Sequence, residues 1–330
     1  MRRVTIKDVA RLSGVSISSV SRYMANPTSI NPSAALSVSK AIDELHYTPN
    51  PFAQNLKSEM TNNIAVILPD ISDHFFSEAC KAICTLFYMY NYSVTICDTS
   101  NDPEKERRYI DEMIKNRCAG VMLVPCGKNT EYIKGILQRF PRMMLFDRLE
   151  PDIKTDMVSE DNERSGYILA QYMLEKGHRR FAILSGSEYS VNMQYRLSGM
   201  RKAFDEKNVQ LEDEFSITNL MSKQEAAYVF EDLVKKPNCP HCFLAGNTHL
   251  LVGIVVAAGR MRLSIPDSYS LGGFSVEDPR YIFPFPIPAV VQNPSKLGTC
   301  AGEMMLKRLR GTLKSQAPKI QLINTKLIAE

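Results

Sequence analysis

The residues best suited to a specific chemistry lie near the amino terminus, where positions 4–25 read VTIKDVARLSGVSISSVSRYMA. Ile17, Ser18, Ser19, Ser21 and Arg22 combine small hydroxyls, one apolar side chain and one guanidinium. That set suits the base-pair edges of a DNA major groove, where Arg22 can fork onto guanine. Ile17 cannot hydrogen-bond, so it is restricted to a thymine methyl or to groove shape. To project together, these side chains need a short helix. Ser16 can cap it, with Val20 and Met24 turned inward. Upstream, Thr5 and Asp8 stand at capping-box spacing and open a helix with an Ile6/Val9/Ala10/Leu12 stripe. Gly14 permits the left-handed backbone of a tight stop between the two helices. Two short helices around a glycine-containing turn form a helix-turn-helix, whose second helix is the one that enters a groove.

A third helix follows. Asn31 and Pro32 fit its N-cap and first position. Ala35, Leu36, Val38, Ala41, Ile42 and Leu45 recur at helical spacing and predict closure of a small three-helix core. Next comes HYTPNPFAQNLKS, in which Pro49 and Pro51 interrupt the chain and Asn50 can cap a further short helix through Ala53 and Leu56. A helix this short is unstable alone in water and needs a surface to fold on, for which DNA is the obvious candidate.

The chain has 330 residues, 44% of them hydrophobic, enough for a small head and a large second body with sizeable cores. Its net charge is +4, and residues 1–60, with seven Lys/Arg and four Asp/Glu, carry +3 of it. The positive excess thus sits on the head, as phosphate contact requires. MRRVTIKDVA lacks the apolar core of a signal peptide. The longest apolar stretch, LLVGIVVAAG at 250–259, is too short to span a bilayer. A cytoplasmic protein with eight reduced cysteines and no membrane association is expected.

Catalytic signals are absent. No G-x-S-x-G, phosphate loop or dinucleotide fingerprint occurs. Cys239-Pro240-His241-Cys242 has dithiol spacing but precedes an apolar strand instead of opening a helix. A structural zinc needs four ligands, and no second such pair exists. Cys80 and Cys84, at i and i+4, read as core. His74 and His249 fall near candidate loops without an identifiable carboxylate partner. Neither enzyme activity, nor a cofactor, nor a metal is expected.

From Ile64 onward, short apolar runs alternate with amphipathic stretches. AVIL, SVTIC, GVMLV and MMLF predict buried strands, with helices at 74–91, 103–116 and 130–139. A second series has helices at 161–176, 192–206, 223–236 and 247–260 around FAIL, FLAG and SLGGF. This predicts an α/β body with helices on both sides of parallel sheets. In such sheets ligands bind beyond the carboxyl ends of the strands.

The whole chain resembles the LacI/GalR family of transcription regulators. TIKDVARLSGVSISSVSR matches the family head, and Tyr47, Pro49, Asn50, Ala53 and Leu56 match its hinge. ILPDISDHFF, FDR at 146–148, EKGHRR at 175–180, IPDSYSLGGF and VVQNP sit where the family expects them. The resemblance implies a helix-turn-helix head at 1–48, a hinge helix and linker at 49–60, and a sensor at 61–330. The sensor is of the periplasmic-binding-protein type I architecture, two parallel-sheet lobes. Lobe 1 is expected at 61–159 and 293–319, lobe 2 at 160–292 and 320–330.

By the same resemblance, Thr5, Ser16, Ile17, Ser18, Ser21, Arg22, Asn50, Ala53 and Leu56 contact a pseudo-palindromic operator, with Leu56 as a minor-groove wedge. Asp70, Phe75, Phe76, Arg148, Asp161, Arg196, Asn247, Ser275 and Gln292 become the ligand candidates. Phe75 and Phe76 read equally well as core or as contacts, and N-capping alone explains Asn247. Two carboxylates common in sugar-binding relatives are replaced by Thr248 and Ser275. Arg148 and Arg196, from opposite lobes, are left to favour an anionic sugar derivative. The expected assembly is a homodimer, as the chain stops at Glu330 after TKLIA without a heptad tail. The alternatives are a regulator gated by a partner protein, as in the carbon-catabolite branch that PDISDHFF and NDPEKE resemble, and a solute-binding protein.

Overall fold

The computed structural model describes residues 4–47, 61–312 and 317–329. Contacts divide the chain into two compact units, 1–61 and 62–330. In the first, α1 (Ile6–Ser13), α2 (Ile17–Ala25) and α3 (Pro32–Glu44) surround Val9, Ala10, Val20, Val38 and Ala41. Gly14 ends α1 with φ of 70°, the left-handed stop its position calls for. The Asn31 side chain caps α3 with Pro32 in the first turn. Leu12 and Leu36, expected inside, are 47% and 59% exposed. Leu12 lies six residues after Ile6, about 240° round a helix of 3.6 residues per turn, and so leaves the stripe. The expected contacts of Asn50, Ala53 and Leu56 lie outside the described residues.

The second unit holds two six-stranded sheets. The first contains β1 (Asn63–Leu68), β2 (Ser93–Asp98), β3 (Gly120–Leu123), β4 (Met143–Phe146), β5 (Met157–Glu160) and β11 (Ile320–Ile323), in the order β11-β5-β4-β3-β1-β2. All its pairings are parallel. The helices α4 (His74–Met89), α5 (Pro103–Lys115), α6 (Thr130–Arg139) and, from later in the chain, α12 (Pro294–Leu309) accompany it. The second sheet contains β6 (Phe181–Leu184), β7 (Ser216–Ile217), β8 (Cys242–Ala245), β9 (Ser270–Ser275), β10 (Ala289–Val291) and β12 (Lys326–Ile328), ordered β12-β10-β9-β8-β6-β7. Only β12 is antiparallel, running against β10. Its helices are α7 (Asn162–Glu175), α8 (Val191–Asp205), α9 (Lys223–Leu233), α10 (Thr248–Arg260) and the short α11 (Pro279–Ile282).

The burial pattern explains the parallel sheets. Every residue of β3, β4, β5, β6 and β8 is buried, as strands covered by helices on both faces must be. The chain passes between lobes after β5, after β10 and after β11. Residues 320–323 pair with β5 and belong to the first lobe, not, as expected, to the second. The last crossing therefore falls between Ile323 and Lys326.

One helix crossing, between α7 and α8, leaves no room for side chains on either partner. A Cβ on Gly166 of α7 would lie 1.9 Å from the Arg196 carbonyl oxygen, and one on Gly199 of α8 would lie 1.9 Å from the Glu163 carbonyl oxygen. The bare backbones let α7 and α8 touch, which fixes the position of α8 and the side chains it sends toward the cleft. Among the described residues, no helix is long and apolar enough to cross a membrane.

Candidate DNA-reading head and interlobe site

In the head, Thr5 donates from both its backbone N–H (2.9 Å) and its Oγ1 (2.7 Å) to the Asp8 carboxylate, which fastens the start of α1. Ser16 Oγ accepts the Ser19 N–H at 3.1 Å and caps α2. It also lies 2.7 Å from Ser18 Oγ, so two of the expected contact residues are pre-arranged by one another. Ile17 is 45% exposed although apolar. Ser18 and Arg22 are exposed and Ser21 is half-buried, while Val20 on the opposite face is fully buried. The helix thus presents one polar, accessible face bearing a guanidinium and hydroxyls.

The cleft between the lobes contains a cavity of about 380 Å³. It lies beyond the carboxyl ends of the strands, where open α/β sheets place ligands. The first lobe lines it with Asp70, Asp73, Phe75, Phe76, Lys128, Asp147 and Arg148, among others. The second contributes Tyr189, Asn192, Met193, Arg196, Asn247, His249 and Gln292. Phe75 and Phe76 are 6% and 7% exposed and pack edge to face at 5.3 Å, so they serve both as core and as wall. Asn247 caps α10 through Oδ1, which accepts the Leu250 N–H at 2.9 Å, and still lines the cavity.

Three of the nine expected ligand residues are placed differently. Asp161 does not line the cavity; its carboxylate caps α7 by accepting the Arg164 N–H at 3.0 Å. Its neighbour Glu160 is the buried carboxylate of this crossing, accepting from Gln292 Nε2 at 2.8 Å and the Asn293 N–H at 2.7 Å. Burial nonetheless raises the Glu160 pKa. Ser275 is fully buried behind the wall, which passes instead through Val276. Arg196 does line the cavity but is only 4% exposed. Its Nε donates to Asn162 Oδ1 and its Nη1 to the Gly246 carbonyl, both at 2.8 Å, and its guanidinium lies 4.0 Å from the Phe274 ring centroid. Much of its donor capacity is thus committed within the second lobe, and it is not the free half of a clamp. Burial pushes its pKa down.

Arg148, half-buried, donates from Nη1 to Asn101 Oδ1 at 2.8 Å and to the Pro125 carbonyl at 3.0 Å. Beside it lies Asp147, in the same loop after β4. Asp147 is 5% exposed and sits in the left-handed region at φ 67°. Its Oδ1 accepts from Asn192 Nδ2 of the other lobe at 3.0 Å. Burial, reinforced by nearby Glu160, raises its pKa to about 7, against the opposing pull of Arg148 and Arg196.

Both cleft histidines have carboxylate partners across the lobes, contrary to expectation. His249 Nε2 is 3.3 Å from Asp73 Oδ2, and His74 Nε2 is 3.5 Å from Glu277 Oε1. The thiols of Cys239 and Cys242 are both pushed up by burial, the opposite of what an active dithiol requires. No cluster of metal-ligating side chains occurs among the described residues.

Comparison with known proteins gives a consistent picture. Residues 5–50 match the model for bacterial regulatory proteins of the lacI family, and residues 170–329 match a periplasmic-binding-protein-like domain. The HTH-type transcriptional repressor PurR of Histophilus somni (strain 2336) is 28% identical over 308 residues, covering 92% of each chain. The ribose operon repressor of Escherichia coli (strain K12) is 26% identical over 316 residues, covering 94% of this chain and 95% of its own. The structure of the Lac repressor bound to ONPG in the repressed state superposes with a TM-score of 0.85 at 19% identity, covering 99% and 98% of the two chains. A LacI-family regulator from Enterococcus faecium, with bound ribose, gives 0.71 at 22% identity over 81% and 96%. The curated relatives are repressors, not enzymes. A lacI-type head at 5–50 followed by a periplasmic-binding-protein-like body is what the chain shares with these transcriptional repressors.

Proposed function

We propose that the protein is a transcriptional repressor that binds a pseudo-palindromic operator as a homodimer and releases or grips it in response to a small polar metabolite in the cleft. The observation carrying this reading is the bridged cavity. Asp147 and Asn192 join the lobes at 3.0 Å beside a space of about 380 Å³, within the range of roughly 300–1,000 Å³ typical of small-molecule sites. A ligand entering there contacts both lobes, so it shifts their equilibrium by its differential affinity for the two arrangements. A sugar, sugar acid or sugar phosphate suits the polar lining.

On the DNA side, Thr5, Ser16, Ile17, Ser18, Ser21 and Arg22 carry recognition. Asn50, Ala53 and Leu56 are assigned to the hinge, with Leu56 wedged into the minor groove. The dimer surface is assigned to the end of α4 and the faces near 250–260 and 278–285. There Tyr88, Met89, Val256 and Tyr281 are 82%, 65%, 44% and 86% exposed. The test is a metabolite screen by thermal midpoint, followed by operator titration with and without each hit. A hit that raises the midpoint and changes operator affinity supports metabolite gating. A screen without hits, together with operator affinity that responds only to a partner protein, overturns it in favour of partner gating.

A further inference from the structure

The cleft is unevenly satisfied, and the unevenness identifies the chemistry of what fills it. Its carboxylates are largely occupied. Asp70 Oδ1 accepts from the Ser72 N–H at 2.8 Å and from Ser72 Oγ at 2.6 Å. Asp73 accepts the Phe75 N–H at 2.9 Å and faces His249. Two cations are differently placed. Among the described residues, neither Lys128 nor Arg148 has a carboxylate within ion-pair distance. The Lys128 ammonium, exposed at the mouth, meets only the Tyr189 ring at 5.5 Å.

At the inner wall, Asn192 is 6% exposed, and its Oδ1 is buried without a hydrogen-bond partner. Turning the amide over does not cure this. The oxygen would then face Asp147 and the nitrogen would be left unpaired. In either orientation one buried polar atom of Asn192 awaits a partner, which is unfavourable until it finds one. A hydroxyl group, donor and acceptor at once, satisfies both orientations.

We propose that Asn192 and Asp147 read a hydroxyl of the effector while Lys128, aided by Arg148, holds an anionic group, so that the effector is a small hydroxylated carboxylate or phosphate. This rests on the reading of the cleft as the effector site. It moves the anion-binding role from Arg196, whose guanidinium is engaged within its own lobe, to the first-lobe rim. Lys128 is then a specificity-determining residue, selecting charged effectors over their neutral parents.

The test is calorimetric titration of the full-length protein with matched sets: ribose, ribonate and ribose 5-phosphate; glucose, gluconate and glucose 6-phosphate; and inorganic phosphate. At least one anionic sugar should bind about tenfold or more tighter than its neutral parent, as a charge-assisted contact provides. Lys128→Gln should bring that anion down to its parent's affinity, and Asn192→Leu should weaken both. The carboxylate and phosphate arms tell the two anion sources apart.

Equal binding of neutral and anionic members overturns the proposal, as does a preference that survives Lys128→Gln. So does inorganic phosphate binding as tightly as any sugar phosphate, or no binding by any member. Neutral sugars that bind as tightly as their anionic partners and change operator affinity would leave the effector cleft standing while removing its anion selectivity. An anion that binds as described without changing operator affinity would do the reverse.

Discussion

Asp147 of the first lobe and Asn192 of the second meet at 3.0 Å across the cleft, an amide donating to a carboxylate held near neutrality in its titration. The pair joins the end of β4 to the first turn of α8. Lobe separation and the protonation of one buried acid are therefore linked.

That linkage has a definite sign. Burial raises the Asp147 pKa from 3.8 to about 7. A carboxyl raised on folding contributes stability that is complete below its unfolded value and is lost as pH climbs through the folded one. Asp147→Asn should therefore lose less stability than the wild type between pH 4 and 7, by up to about 1.4 kcal/mol per pH unit. Urea denaturation across that range measures it. Parallel pH profiles for the two proteins would contradict the burial of an ionisable Asp147.

The Asp73–His249 bridge works in the opposite sense at its acidic end. Burial favours the neutral form of Asp73, but the His249 contact and the Phe75 N–H outweigh it and lower the pKa. The bond to Asp73 raises that of His249. The Asp73 contribution is present above 3.8 and lost as pH falls through its lowered value. The His249 contribution is complete below 6.5 and lost as pH rises through its raised value. The bridge should thus stabilise most near pH 5–6. Both groups are partly exposed, so His249→Gln should cost no more than about 1 kcal/mol there and next to nothing at pH 9. Thermal midpoints at the two pH values decide it.

The α7–α8 crossing should tolerate no added methyl. Gly199→Ala places a carbon 1.9 Å from the Glu163 carbonyl oxygen, a backbone atom that cannot swing aside. Loss of about 1–3 kcal/mol is expected. Because α8 carries Asn192 and Arg196, ligand affinity should fall as well. Gly259→Ala, where no atom lies within 4 Å, should be accepted and serves as the control.

Asp156 and Arg308 form a two-bonded ion pair, at 2.6 and 2.8 Å, with Asp156 4% exposed. The Lys319 N–H reaches the same carboxylate at 2.9 Å, so this group ties β5, α12 and the approach to β11 together. Arg308→Ala strands a buried charge and should cost about 3 kcal/mol. Asp156→Asn with Arg308→Met should recover part of that loss, and denaturant midpoints of the four proteins test it.

The sheets were legible because strands buried on both faces read as unbroken apolar runs, as AVIL and MMLF do. The head was legible because caps and a glycine stop are local. Leu36 was misread because an apolar residue in a short helix need not share the face of Val38. The α12 helix escaped notice although Asn293 and Pro294 open it and Leu297, Ala301, Met304 and Met305 bury one side.

The cleft was legible only as a set of loops. Side chains alternate along a strand, so the step from Asp161 to Glu160 exchanges a helix cap for a buried carboxylate. Asp147 turns inward at a left-handed backbone position that no local pattern announced. The pairing of Asn192 with it depends on two lobes whose approach is a tertiary fact.

The central claim is that α2 of the head reads duplex DNA, and selection from a random duplex library with the full-length protein tests it most directly. The expected result is enrichment of an inverted repeat. Arg22→Ala should lose about 1–3 kcal/mol and relax preference at one position in each half-site. Enrichment of no sequence, or an Arg22→Ala variant selecting the same sites with undiminished preference, would contradict it.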